Sequence, residues 1–194
     1  MPESLSNKSR LWLACLLCLL TWLWPFVADA DEFAVSVKKA EMVLRDERYF
    51  LSADIDYQLS DRAREALQNG IPLFWTVQVQ VLRHRDYLWN KKLLEKEIRY
   101  RIQYHALLNM YRVRNESSKT VYNFSTLSTA LDMMSAIRNV PIMDKADLAQ
   151  DAHYIGGVKV IFDRDALPLP LRPIAYINPQ WYLSSDWYLW SLKE

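Results

Sequence analysis

Apolar and polar residues alternate with a period of two through most of this chain, and that alternation constrains the fold more than any other feature. The clearest case is RYFLSADIDYQL, residues 48–59, in which every second side chain is apolar. Because successive side chains of a strand point to opposite faces, one face of this segment belongs on a core and the other in solvent. Strands with one polar face are typical of antiparallel sheets. The apolar face consists of Tyr49, Leu51, Ala53, Ile55, Tyr57 and Leu59.

The same alternation predicts further strands separated by short turns. Residues 33–44 and 48–59 are expected to form a hairpin across the polar turn 45–47. The segment 91–97 fits either a helix or a strand, and the pair Gly156-Gly157 is expected to form a bulge or a kink. Additional strands are predicted at residues 75–81, 98–105, 110–115, 120–125, 153–165 and 174–178.

Two short helices are expected between the strands. Residues 60–70 (SDRAREALQNG) start with Ser60 or Asp61 as the N-cap and end at Asn-Gly. Residues 128–139 repeat apolar side chains at helical spacing, and Pro141 should end that helix. The sequence therefore predicts a mainly β chain, an antiparallel β-sandwich or open barrel of about 7–9 strands with two short α-helices.

The first thirty residues have the pattern of a secretory signal peptide. Lys8 and Arg10 precede the apolar run LWLACLLCLLTWLW, and Ala28 and Ala30 are the small residues that a signal peptidase reads. We therefore predict cleavage after Ala30, which leaves a single β-rich domain at residues 31–194. The alternative is an uncleaved inner-membrane anchor, because the uncharged stretch is just long enough to span a bilayer.

Cysteine usage and charge are compatible with export to the periplasm. Both cysteines, Cys15 and Cys18, lie in the predicted signal peptide, so the exported domain would have no disulfide and must be stabilised by its core. The whole chain has a formal net charge of +1, and its first thirty residues are charge-balanced. Neither the charge nor the compartment favours nucleic acid as a partner.

No combination of residues indicates catalysis, a cofactor or a metal ion. His84 and Asp86 could share a strand face, but a metal needs further ligands and the neighbouring arginines oppose a cation. The chain lacks a Gly-x-Ser-x-Gly motif and a glycine-rich phosphate loop, and the pair Asp54 and Asp56 fits a solvated strand face. We predict a protein that is not an enzyme and binds no cofactor or metal. The three histidines are His84, His105 and His153.

Residues 83–114 are strongly basic, with nine Lys or Arg against three acidic residues. Arg99 and Arg101 share a strand face, and pairing with the next strand would add Arg112 and Arg114. One interpretation is a contact surface for an anionic partner, such as phospholipid headgroups or an acidic protein face. The other is an ordinary solvated sheet face whose charges oppose aggregation. The candidate surface comprises Arg83, Arg85, Arg99, Arg101, Arg112 and Arg114.

The carboxyl-terminal segment PQWYLSSDWYLWSLKE, residues 179–194, is dense in aromatic residues. A helix would group Leu183, Trp187 and Trp190, whereas a strand would place every second residue on one face. We favour a last strand that closes the core, with Trp187 as a core residue, over an exposed aromatic platform for sugars. The strand face would consist of Trp181, Leu183, Ser185, Trp187 and Leu189.

The order of several short motifs resembles one family. A signal peptide and a hairpin are followed by GIPL at residues 70–73, LP at 167–168 and W-x-L-x-S-x-W at 181–187. In this order the chain resembles the exported proteobacterial proteins of the domain of unknown function family 4390, over nearly all of the exported domain. That family has no assigned activity, so the resemblance assigns no functional residue. It implies an extracytoplasmic partner or a regulatory role, since genes of that family tend to lie beside a membrane sensor histidine kinase of the nitrogen-regulation type.

Three classes of function remain after these exclusions. The first is a non-enzymatic periplasmic interaction or sensory accessory module that contacts an envelope or inner-membrane protein, with peripheral contact to the membrane surface. The second is a binding domain for a small apolar or glycan ligand held between the sheets. The third is an envelope hydrolase, which would need a cleft that joins a histidine or a carboxylate pair.

Overall fold

The described part of the chain forms nine strands and three short α-helices. The structure, a computed structural model, describes residues 34–85, 87–149 and 152–192. The strands are β1 Val35–Arg45, β2 Arg48–Tyr57, β3 Leu73–Arg83, β4 Lys91–His105, β5 Met110–Asn115, β6 Val121–Phe124, β7 Ala136–Asp144, β8 Tyr154–Phe162 and β9 Tyr188–Ser191. The helices are α1 Asp61–Gln68, α2 Leu127–Ser135 and α3 Arg172–Ile177.

Every strand pair is antiparallel, and the strands form two sheets. The smaller sheet has the order β1-β2-β7, and the larger has the order β6-β5-β4-β3-β8-β9. Both sheets contribute to one hydrophobic core. These findings confirm the predicted mainly β, antiparallel architecture, and they resolve the ambiguous segment 91–97 as the first half of the long strand β4.

Trp75 of β3 lies at the centre of the core and is completely buried. Its ring meets Tyr57 edge-on at a centroid distance of 5.7 Å and lies 5.0 Å from the ring of Phe162. The indole Nε1 donates a hydrogen bond to the carbonyl oxygen of Leu183 at 3.0 Å, so its one polar group is satisfied. Trp75 therefore ties together the smaller sheet, the larger sheet and the carboxyl-terminal segment.

The hairpin and the first helix follow the sequence pattern closely. In β2 the predicted apolar residues are all buried, and their neighbours are half-exposed. In α1 the backbone amide of Ala63 donates to the Ser60 hydroxyl at 3.2 Å, which identifies Ser60 as the N-cap. The stop at Gly70 is also confirmed, since Gly70 has a φ of +80°, a conformation that favours glycine.

The predicted helix at 128–139 is only partly right. The helix α2 starts beside its N-cap Thr126 and ends at Ser135, after which the chain becomes the strand β7. Pro141 lies inside β7 and does not mark the end of a helix. It is tolerated there because β7 is an edge strand whose register against β2 shifts close to the proline.

The strand predicted at residues 174–178 is wrong, because these residues belong mainly to the helix α3. Pro173 lies in the first turn of α3, where its fixed φ suits a helix and its missing amide costs nothing. The helix buries Ala175 and leaves Ile174 and Ile177 exposed. Five residues of alternating character are too few to distinguish a strand from one and a half helical turns.

Buried and exposed side chains alternate along the carboxyl-terminal segment as they do in a strand. The buried residues are the odd-numbered ones from 181 to 185, whereas in β9 the even-numbered residues are more buried. Trp181, Leu183 and Ser185 are buried, as the strand interpretation predicts. Trp187, however, is only half-buried, and Leu189 is 53% exposed. Residues 182–187 run beside β8 without forming a regular ladder, and pairing becomes regular only in β9.

Serine side chains replace part of the missing ladder beside β8. The amide of Val160 donates to the Ser185 hydroxyl at 2.8 Å, and the amide of Phe162 donates to the Ser184 hydroxyl at 2.9 Å. The amide of Ser185 in turn donates to the carbonyl oxygen of Val160 at 2.8 Å. These bonds satisfy backbone amides that would otherwise be buried without a partner.

A bulge or a kink was expected at Gly156 and Gly157; the bulge is wrong, because the register of β8 against both neighbours is continuous there. Close packing against β9 explains why both positions are glycine. A Cβ atom on Gly156 would lie 2.5 Å from Cζ2 of Trp190, and one on Gly157 would lie 2.8 Å from Cδ2 of Leu189. The two glycines therefore let the side chains of β9 pack directly onto the backbone of β8.

Candidate functional site: the outer face and one hairpin of the larger sheet

Four of the six predicted arginines share the outer face of the larger sheet. Arg101 lies directly opposite Arg114 in the β4–β5 ladder, and Arg112 is opposite Gln103. Arg99 lies two residues before Arg101 on the same face, while the intervening residues of β4 are buried in the core. We call Arg99, Arg101, Arg112 and Arg114 the arginine strip.

One carboxylate stands at the centre of the arginine strip. Glu116 Oε1 lies 3.6 Å from Nε of Arg101, and its Oε2 lies 3.3 Å from Nε of Arg114. The ammonium group of Lys119 is 3.9 Å from the same carboxylate. Because like charges on adjacent strands repel, Glu116 offsets the cost of placing Arg101 opposite Arg114.

Arg99 is held by a second carboxylate and by an aromatic ring. Its guanidinium pairs with Asp163, and its Cζ atom lies 5.0 Å from the centroid of Phe74. Arg112 differs, because it donates from Nε to the neutral amide oxygen of Asn123 at 3.0 Å. Among the described residues, no carboxylate forms an ion pair with Arg112, so its charge is the least compensated of the strip.

Arg83 and Arg85 do not join the arginine strip. Arg83 ends β3 opposite Lys91, whereas Arg99 is paired with Thr76 near the start of β3. At about 3.3 Å per residue, the two places are roughly 23 Å apart along the strand. The predicted six-arginine surface is therefore two separate basic regions.

The second region contains a feature that the sequence reasoning missed. Tyr87, Leu88 and Trp89, which we call the hairpin tip, lie in the β3–β4 turn and are 97%, 66% and 94% exposed. The available signal is an apolar triplet that lies between two strands and has basic residues on both sides.

The fold brings His84 close to His153 but does not bring all three histidines together. The amide of His84 donates to the carbonyl oxygen of His153 at 2.8 Å, but His105 lies at the other end of the sheet, where β4 ends. No three His, Cys, Asp or Glu side chains within residues 34–85, 87–149 and 152–192 are placed to hold a metal ion. Asp86 lies outside the described residues.

The carboxylates of Asp54 and Asp56, which the sequence pattern assigned to a solvated strand face, each have a basic partner. Asp54 pairs with Arg138 of β7, and Asp56 lies 3.3 Å from the ammonium group of Lys38. Both lie on the outer face of the smaller sheet and are half-exposed. This is the solvated strand face that their spacing predicted.

Tyr57 carries a buried polar atom inside the core. Its hydroxyl has no hydrogen-bond partner among the described residues. Burial, followed by the nearby Tyr100, raises the pKa of the Tyr57 hydroxyl well above its ordinary value. A buried hydroxyl without a partner costs stability, because it has lost its bonds to water.

Replacing Tyr57 with phenylalanine is expected to raise the free energy of unfolding by about 1 kcal/mol at neutral pH, since the unpaired hydroxyl is removed. Because the folded pKa is raised, the unfolded chain releases this proton first, and wild-type stability should fall as the pH rises above about 10. The variant should lose stability less steeply in that range. Urea denaturation across alkaline pH measures both effects. A less stable Tyr57→Phe protein would mean that a water or a small ligand bonds the hydroxyl.

By its described residues, this protein is a mainly β, antiparallel domain whose larger sheet has a basic outer face. The chain belongs to the family described as "Domain of unknown function (DUF4390)", whose model matches residues 32–191. This confirms the family that the order of motifs indicated. Neither a curated protein nor a solved structure matches the chain.

The predicted signal peptide, with Ala28 and Ala30 at its cleavage site, lies outside the described residues, so the cleavage stays a prediction. Among the residues that the structure describes, no helix has the length and apolar character needed to cross a bilayer.

Proposed function

We propose that this protein is a non-enzymatic interaction module of the cell envelope, which binds an acidic face of a partner protein through the arginine strip. The observation that supports this proposal most is the Arg101–Arg114 pair on a rigid sheet, with Arg99 and Arg112 beside it. Within the described ranges, the ion pairs of these four arginines and Lys119 are made with two carboxylates, Glu116 and Asp163, so the region keeps a positive excess. The partner that the family resemblance suggests is the extracytoplasmic part of a membrane sensor histidine kinase.

The arginine strip suits protein recognition because its side chains are already held in place. Glu116 contacts two of them and Asp163 a third, while the guanidinium of Arg99 also stacks on Phe74. Holding a side chain before binding reduces the conformational entropy that association costs. The partly exposed guanidinium groups can still bind carboxylates in a planar, two-pronged manner.

Charge reversal at Arg112 tests this proposal. A photoreactive residue in place of Asn123, beside Arg112, should cross-link a specific envelope protein in cells. Binding of that purified protein, measured by calorimetry, should weaken by about tenfold or more in Arg112→Glu and should weaken further as salt rises. Arg112 has no ion pair within the described ranges, so the substitution leaves the Glu116 contacts intact.

Arg62→Glu is the matched control, because it makes the same charge change on the exposed surface of α1. Its affinity should equal that of the wild-type protein. Equal binding by Arg112→Glu and wild type would contradict the proposal, as would the absence of any cross-linked protein specific to position 123.

A small ligand held between the sheets is the second candidate function. The only described observation in its favour is the unpaired Tyr57 hydroxyl in the core. Native mass spectrometry of protein purified from its own host should then show a bound small molecule that is lost in Tyr57→Phe. Protein without a bound molecule would argue against this candidate.

A further inference from the structure

The hairpin tip exposes more apolar side chain at one point than a solvated turn requires. Tyr87 and Trp89 are almost completely exposed, and Leu88 is 66% exposed. The base of the turn is nevertheless closed, because Nδ1 of His84 lies 3.2 Å from Oδ1 of Asn90. Because the base of the turn is closed, the side chains of the hairpin tip can insert into an apolar environment without a rearrangement of the sheet.

Basic residues surround the hairpin tip. Arg83 and Arg85 precede it and Lys91 and Lys92 follow it, all of them exposed. Lys92 pairs with Glu95 at 2.9 Å, and the sequence adds one acid, Asp86, within the turn. The turn therefore keeps a positive excess next to its apolar side chains.

The β4–β5 turn at the other end of β4 offers an internal comparison. It also exposes two apolar side chains, Leu107 at 101% and Leu108 at 57%. It contains no aromatic residue, and no Lys or Arg lies between His105 and Tyr111. Of the two described turns that flank β4, the hairpin tip is thus the one that combines aromatic with basic residues.

We infer that the hairpin tip docks this domain onto the surface of an anionic phospholipid bilayer. Tyr and Trp partition to the headgroup level of membranes, where their apolar bodies are buried and their polar atoms stay hydrated. The flanking arginines and lysines face the phosphate groups and add electrostatic attraction. A bilayer fits better than a folded protein, because the three adjacent side chains lie at the end of a hairpin and are mostly exposed, so they can be buried in a fluid interface that needs no complementary pocket.

The inference is independent of the proposed function, since the arginine strip and the hairpin tip lie at different ends of the β3–β4 ladder. Loss of vesicle binding and loss of binding to an acidic protein are separate results. Arg112→Glu should leave vesicle binding unchanged, and tip variants should leave partner binding unchanged in solution.

Vesicle sedimentation tests the inference. The chain from Glu32 onward is used, because Glu32–Glu194 forms a compact unit with its own core and lacks the apolar run at residues 11–24. It should sediment with vesicles of equal parts phosphatidylcholine and phosphatidylglycerol, and weakly with phosphatidylcholine alone. Leu88→Ser with Trp89→Ser should lower the partition coefficient by about tenfold or more.

Neutralising Arg83→Gln and Arg85→Gln together should lower binding to the anionic vesicles by about fivefold per charge and leave the weak binding to neutral vesicles unchanged. Leu107→Ser with Leu108→Ser is the matched control, and it should bind as the wild type does. Near-ultraviolet circular dichroism checks that each variant keeps its fold, which the exposure of these residues predicts.

Two results would overturn the inference. One is a wild-type domain that does not sediment with anionic vesicles; if its tip captures an envelope protein in solution instead, the tip is a protein-docking point. The other is a control variant that loses as much binding as the tip variant.

Discussion

Replacing Trp75 with alanine is expected to lower the free energy of unfolding by about 3–5 kcal/mol, a large effect for a single substitution. Trp75 is completely buried, and its removal leaves a cavity between Tyr57 and Phe162. It also leaves the carbonyl oxygen of Leu183 without its donor. Urea denaturation followed by far-ultraviolet circular dichroism measures the change.

Two further variants show which interactions of Trp75 account for this loss in the free energy of unfolding. Trp75→Phe keeps an aromatic ring and loses the hydrogen bond to Leu183, so it should cost less than Trp75→Ala. Trp89→Ala makes the same chemical change as Trp75→Ala at a side chain that is 94% exposed, and it should alter stability by about 0.5 kcal/mol or less. Equal losses in Trp75→Ala and Trp89→Ala would refute the central position of Trp75.

Much of the fold could be predicted because one-sided strands leave a strong pattern. In β2 five alternate apolar residues lie on the core, and a register shifted by one residue would expose all of them. The hairpin turn and the stop at Gly70 are local features, and local rules were sufficient for them. Local rules narrowed the N-cap of α1 to Ser60 or Asp61, and the structure identifies Ser60.

The errors lie where tertiary contacts decide between local alternatives. Residues 136–139 continue the helical spacing predicted for 128–139, but pairing with β2 makes them part of the strand β7, and Pro141 is accepted because β7 is at the sheet edge. The short alternation at residues 174–178 predicted a strand, but residues 172–177 form the helix α3 with Pro173 in its first turn. In both segments the sequence pattern was too short to predict the structure that the tertiary contacts stabilise.

The candidate surface was partly predictable for the same reason. Strand spacing alone places Arg99 with Arg101, and hairpin pairing adds Arg112 and Arg114. The compensating carboxylates could not be assigned, because Asp163 is distant in sequence and Glu116 reaches both arginines only after the β4–β5 pair forms. The separate location of Arg83 follows from the length of β3, which the sequence left open.

The two glycines of β8 lead to the second large expected effect. Gly156→Val is expected to lower the free energy of unfolding by about 3 kcal/mol, because its Cβ would lie 2.5 Å and 2.6 Å from two atoms of the Trp190 ring. The ring must leave its place on β8, and β9 would loosen with it. Valine is otherwise favoured at this position, since it suits an extended strand and Gly156 does not have a positive φ.

A double-mutant cycle with Trp190→Ala distinguishes close packing from a backbone requirement. Once the ring is absent, Gly156→Val should cost little or should stabilise the protein, and the coupling energy should reach about 2 kcal/mol or more. Differential scanning calorimetry of the four proteins measures it. Simple additivity of the two substitutions would mean that Gly156 is needed for its backbone. It would also contradict the explanation that close packing requires the two adjacent glycines of β8, in a chain that has only three glycines.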